Sequence, residues 1–128
     1  MEWRLFTSAE VIGLHDQVIT DNELQGLAAG KSLDGALGRI EYRIQYGIIT
    51  SVFDLAATHA VVIAQGHVFN DANKRTAYAC MDLCLIEHGV RIAFDVEAVG
   101  AVIIKVAQGH IDERELARWL AEKAREKS

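Results

Sequence analysis

The chain has 128 residues, a length that one hydrophobic core can organise as a single domain spanning 1–128. Hydrophobic residues make up 51% and charged residues 24%, a balance that argues against intrinsic disorder. Lys and Arg number 13 against 18 Asp and Glu, a formal net charge of −5 that argues against a broad nucleic-acid surface while leaving room for a small basic pocket.

No proline interrupts the chain, which fits a mostly helical fold. The N-terminus, Met1-Glu2-Trp3-Arg4, lacks a signal peptide's apolar run, and no stretch approaches the roughly 18 apolar residues of a membrane span. A cytoplasmic protein without direct nucleic-acid or membrane partners is the expectation. Trp3 and Leu5 alternate about Arg4, as Val90, Ile92 and Phe94 do later, so these two stretches are expected to pair as a minor two-stranded sheet. Thr7-Ser8-Ala9-Glu10 has the form of a capping box and opens a helix carrying Val11, Leu14 and Val18 on one face to about residue 19. Thr20 to Lys31 mixes Asn22, Gly26 and Gly30 and reads as a loop.

A second helix starts at Ser32 or Asp34, with Leu33, Leu37, Ile40 and Ile44 at helical spacing. The third is capped by Ser51 and stops at Gly66; Val52, Leu55, Ala56, His59, Val62 and Ile63 keep one face, so His59 reads as a hydrogen-bonded core residue. In the fourth, Ala77, Cys80, Met81, Cys84 and Leu85 line one side until Gly89. Asp82 is its only charged residue between Thr76 and Glu87, which predicts the buried central helix of the fold. Its two cysteines, four residues apart, read as buried thiols rather than a disulfide framework or a zinc site. Asp95 caps a fifth helix bearing Val96, Val99, Val102, Ile103 and Val106. Asp112 and Glu115 form a capping box for the sixth, which buries Leu116, Trp119 and Leu120. His88 and His110, beside glycines near helix ends, are placed to satisfy carbonyls.

The chemistry gathers between the third and fourth helices, in His67-Val68-Phe69-Asn70-Asp71-Ala72-Asn73-Lys74-Arg75-Thr76. The first N–H groups of a helix have no internal partner and carry the positive end of its dipole, so Lys74 and Arg75 in a first turn run against helix electrostatics. A bound anion offsets that repulsion, and phosphate is the usual one. Taken singly, Lys74 and Arg75 read as solvated and Asp71 as an N-cap; together, with Phe69 as an apolar anchor, they point to a phosphate site. An imidazole ordinarily titrates near neutrality, so His67 is the group that can take a proton from an attacking hydroxyl. Asp71 is a hard oxygen donor suited to Mg²⁺, Lys74 and Arg75 can neutralise a transferred phosphoryl group, and Asn73 can hold the loop or reach a phosphate.

His67-x-Phe69-Asn70-Asp71-Ala72-Asn73-Lys74-Arg75 resembles the signature H-x-F-x-[DE]-[AG]-N-[GK]-R of the Fic/Doc family, in the form of its death-on-curing toxin branch. The likeness takes in Leu14-His15-Asp16 and most of the chain. It implies a compact all-α bundle of about six helices whose loop binds ATP–Mg²⁺, with His67 as base and Asp71 as metal ligand. Ala72, Asn73, Lys74 and Arg75 become nucleotide contacts, and Phe69 packs the loop on the core. Most Fic enzymes have the pattern H-P-F-x-x-G-N-G-R-x-x-R and transfer AMP; here Val68, Ala72, Lys74 and Tyr78 depart from it. A lysine in place of glycine at position 74 blocks close wrapping of the α- and β-phosphates and adds a charge. The toxin branch implies instead a protein kinase that phosphorylates a threonine of elongation factor Tu and halts translation.

No Glu is followed by Gly or Asn, so the inhibitory pattern [ST]-x-x-x-E-[GN] of many Fic enzymes is missing. The resemblance then implies restraint by an antitoxin of the prevent-host-death type, whose tail folds into an apolar groove, expected on the first two helices. The alternatives are AMP transfer by the same loop and a catalytically silent helical binding module. A metal-dependent phosphohydrolase built on His15-Asp16 lacks an upstream histidine, leaving His15 as a partly buried helix residue. A P-loop lacks its glycines and preceding strand.

Overall fold

Cap chemistry written in the sequence sets the helix starts. The computed structural model describes residues 2–126. Among them the chain forms α1 (Ser8–Val18), α2 (Leu33–Gln45), α3 (Val52–Gly66), α4 (Asn73–Glu87), α5 (Val96–Ala107) and α6 (Glu113–Arg125), an all-α bundle as expected. Thr7 with Glu10, and Asp112 with Glu115, close reciprocal capping boxes on α1 and α6. Ser32, Ser51 and Asp95 accept from Gly35, Asp54 and Ala98 N–H to start α2, α3 and α5. No described helix is long and apolar enough to cross a membrane.

The centre of the bundle is α3, which corrects the expectation for α4. Every residue from Leu55 to Ala64 is buried, and α3 packs against α2, α4, α5 and α6. Asp54 is the last Asp, Glu, Lys or Arg before the signature loop, and only Thr58 and His59 interrupt the apolar run from Leu55 to Ala64, the composition of an enclosed helix. By contrast α4 buries one side, with Ala77, Cys80, Met81, Cys84 and Leu85 fully covered, while Tyr78 and Asp82 stay half-buried. On α5, Val99, Ile103 and Val106 enter the core, but Val96 is 82% exposed in its first turn, outside the face assigned to it. On α6, Leu116 and Leu120 are buried; Trp119 is half-buried, stacked on Phe94 with ring centroids 5.9 Å apart.

The expected sheet between residues 3–5 and 90–94 is not formed among the described residues. The Arg4 N–H that a ladder would have sent to a carbonyl donates to His88 Nε2 at 3.2 Å, and Trp3 packs against the same imidazole. The Arg4 guanidinium pairs with Glu10 and with Glu87, so this end is fastened by side chains. Among the described residues an isolated β-bridge lies elsewhere, between Leu27 and Phe69. It ties the loop between α1 and α2 to the segment between α3 and α4.

Candidate active site

The signature segment leaves α3 through a left-handed residue and enters α4 through another. His67 is the C-cap of α3 at φ 49°, and Ala72 is the N-cap of α4 at φ 66°, both in the region glycine adopts most readily. Between them Val68 and Phe69 point into the core at 2% exposure each, while His67 and Asn70 are exposed. The apolar pair roots the loop, and the imidazole remains outside.

The loop is fixed from two sides. The bridge to Leu27 is made by Ala28 N–H to Val68 C=O at 2.8 Å and Asn70 N–H to Gly26 C=O at 3.1 Å. Those bonds flank Phe69, whose own N–H and C=O face the other way. Asn73, the first residue of α4, takes both: its Oδ1 accepts from Phe69 N–H at 3.1 Å and its Nδ2 donates to Phe69 C=O at 2.9 Å. Asn73 thus holds the loop rather than extending from it.

Asp71 is not the N-cap that helix rules suggested. Its carboxylate turns back to the α1–α2 loop, where Oδ2 accepts from Leu24 N–H at 2.8 Å, and α4 has no side-chain cap. Every other helix in the described residues has one. The first N–H groups of α4 therefore stand without a protein oxygen beside the two cations of that turn, an arrangement that favours an anion.

Lys74 and Arg75 are both exposed and both line a cleft of about 320 Å³ against Tyr78 of α4 and Val96, Val99 and Ile103 of α5. Its walls are largely apolar, and burial raises the Tyr78 phenol above its ordinary value. The two cations differ in their engagements. The Arg75 guanidinium donates to Val18 C=O at 2.6 Å and forms an ion pair with Glu23. The hydrogen bond that Arg75 donates to the Glu23 carboxylate, joined by Thr20 N–H, holds that carboxyl down at about 2. Lys74 has no such partner among the described residues.

Two residues outside the signature join the site. His15 is 1% exposed, more deeply buried than expected, and lies under the loop with Nε2 2.8 Å from Asp71 C=O. Its ring stacks on Phe69 at 3.9 Å and 7°. The other is Glu23, which no local pattern in a polar loop marks. The remaining imidazoles play structural parts: His59 is buried with Nδ1 bonded to Leu55 C=O, and His88 Nδ1 donates to Cys84 C=O at 2.8 Å. At His110 the expectation fails, since the side chain is exposed and only its backbone N–H is bonded, to Lys105 C=O. Cys80 and Cys84 are free and buried as expected.

Among the described residues no group of three or more His, Cys, Asp or Glu side chains could hold a metal unaided. The donor set fits a cation that arrives with a nucleotide, because Mg²⁺ usually takes one or two carboxylates together with phosphate oxygens and waters. Asp71 supplies one carboxylate, with Oδ2 on Leu24 N–H and Oδ1 left to offer.

Two comparisons relate the chain to known proteins. The model of the Fic/DOC family matches residues 5–85, which take in α1 to α3, the loop and most of α4. The chain is also 36% identical over 118 residues to the protein kinase doc of Escherichia phage P1, an overlap covering 91% of this chain and 93% of that relative.

Proposed function

Because the chain belongs to the Fic/DOC family, we propose that it is a toxin acting as an Mg-ATP-dependent protein kinase on a threonine hydroxyl. The carrying observation is the uncapped start of α4, with Lys74 in its first turn, Asp71 before it and the exposed His67 at the head of the loop. ATP–Mg²⁺ supplies the phosphoryl group and the cation that spreads its charge. His67 accepts the proton of the attacking hydroxyl as its oxygen forms the new bond to the γ-phosphorus and the bridging bond to ADP breaks. Asp71 would hold Mg²⁺ through the carboxylate oxygen that Leu24 leaves free, and the free N–H groups of the first turn, with Ala72 and Lys74, would contact the phosphates. Arg75 reaches them once Glu23 yields it. Asn73 keeps the loop in register through Phe69.

Two observations favour phosphoryl over AMP transfer. A lysine side chain fills the position where close wrapping of the α- and β-phosphates needs glycine, and the phage relative is named a kinase. Elongation factor Tu is the substrate carried over from the toxin branch, in the cytoplasm, and an antitoxin of the prevent-host-death type is the restraining partner. The apolar cleft between α4 and α5 opens beside Lys74 and Arg75, whereas the outer face of α2 offers Tyr42 and Tyr46. The antitoxin groove assigned to α1 and α2 therefore competes with a second apolar surface.

The test is label transfer to purified elongation factor Tu from γ-labelled against α-labelled ATP, with His67→Ala alongside. Transfer from the γ-label alone, lost in His67→Ala while the melting temperature holds, is the expected result. Transfer from the α-label would make the chain an AMP transferase, and none from either would leave a binding module or a different substrate.

A further inference from the structure

His15, one half of the His15-Asp16 pair in the sequence, touches the signature loop without belonging to it. His15 lies on α1, 56 residues from the loop it touches, and is among the most deeply buried polar side chains. A carbonyl oxygen only accepts, so the 2.8 Å contact from Nε2 to Asp71 C=O requires the proton on Nε2. Nδ1 then faces Asp16 Oδ1 at 3.5 Å, near the surface end of the ring. The flat stack on Phe69 fixes the ring plane, so the donor has one direction.

A trans peptide is planar, and its C=O and N–H point in opposite directions. Drawing Asp71 C=O inward to His15 turns the N–H of Ala72 outward, away from the core. Ala72 sits left-handed at φ 66°, where the backbone does not hold this peptide by helix bonding, and no side chain caps the turn. The orientation of the Asp71–Ala72 peptide is thus set from α1. We propose that His15 is a positioning residue: its Nε2–H locks that peptide so that the Ala72 N–H is presented to the phosphate. This rests on the kinase reading for its ligand, but the peptide orientation stands apart from it.

The test uses full-length His15→Phe, which keeps the stack and the volume but removes the donor, and His15→Gln, which returns an N–H near the Nε2 position. The affinity of Mg²⁺ with a non-hydrolysable ATP analogue is measured by calorimetry, and KM for ATP is separated from kcat, at a temperature where melting curves show each variant folded. The Phe variant should weaken both affinity and KM by about tenfold, as for loss of one hydrogen bond to a charged group, and the Gln variant should restore most of it. A fall in melting temperature with unchanged affinity and KM, or equal loss in both variants, overturns the proposal. Should the Phe variant not fold, Gln against Asn decides, since Asn mimics Nδ1 and falls short of the carbonyl. If the wild-type chain takes up no nucleotide, the kinase reading has failed, and the carbonyl ¹³C shift of Asp71 judges His15. That shift should move in the Phe or Asn variant and return in Gln; no movement overturns the inference.

Discussion

Replacing Asn73 by Ala removes the partners of both main-chain polar groups of one buried residue, Phe69. Phe69 is 2% exposed, its N–H and C=O each have Asn73 as partner, and the bridge bonds to the α1–α2 loop use Val68 and Asn70 instead. Truncation therefore leaves a buried donor and a buried acceptor unpaired, at about 1–3 kcal/mol each, and water reaching part of the cavity brings the total to about 3 kcal/mol. In a domain of this size 1 kcal/mol moves the melting temperature by about 4 °C, so Asn73→Ala should melt about 12 °C lower. Calorimetric melting measures the shift, and amide hydrogen exchange locates it, since Phe69 should lose protection before α3 does. Asn73→Asp keeps the acceptor but sets a carboxylate against Phe69 C=O, and should be destabilised at neutral pH and partly recover on acidification. A melting temperature within about 2 °C of the wild type in Asn73→Ala would refute the view that this side chain holds the loop.

His59 is fully buried, with Nδ1 on Leu55 C=O and no hydrogen-bond partner at Nε2, and burial pushes it down to about 4. Its folded value lies below the ordinary 6.5, so its stabilising share is complete above pH 6.5 and drains away as pH falls toward 4, roughly 3 kcal/mol in all. His59→Leu should flatten the stability-against-pH curve over that interval; an unchanged slope would remove His59 as its source. Glu23, held at about 2 by Arg75, should return toward the ordinary carboxylate range in Arg75→Ala, read by ¹³C NMR titration; a Glu23 carboxyl still near 2 would break the link. Cys80 and Cys84, pushed up to about 12 by burial, should resist iodoacetamide in the native chain and react together once it unfolds. Rapid native labelling of either would contradict their burial.

The sequence made five of the six described helices legible at their starts, because each of these carried its own cap within four residues: Thr7 with Glu10, Ser32, Ser51, Asp95, Asp112 with Glu115. The signature loop was legible as a motif, and Asn73 at the start of α4 could be placed. Its anchorage could not. Asp71 followed the local rule for an N-cap, and only a backbone N–H 47 positions away, at Leu24, turned it elsewhere. Glu23 and His15 reach the site across similar spans, and main-chain bonds such as Ala28 to Val68 are indifferent to side-chain identity, so they leave no local trace. The exchange of rank between α3 and α4 has a different origin. Both are poor in charge, but Leu55–Ala64 is buried around the full turn with only Thr58 and His59 polar, whereas Asp82 and Tyr78 mark an open side on α4. The expected pairing of residues 3–5 with 90–94 failed because alternation over three to five residues is a weak signal beside a histidine acceptor.

The two left-handed residues that bracket the loop set robustness against chemistry. At His67 and Ala72 a side chain is carried where an L-residue loses roughly 1–2 kcal/mol relative to an ordinary conformation, while the extra freedom of glycine in the unfolded chain offsets only about half of that. A laboratory search for heat-resistant variants, scored on melting alone, would drift toward glycine at both hinges and discard the imidazole at the first. If position 67 serves the proposed phosphoryl transfer, tolerance of heat and that chemistry are rival tenants of it, and screens of the fold should score them together.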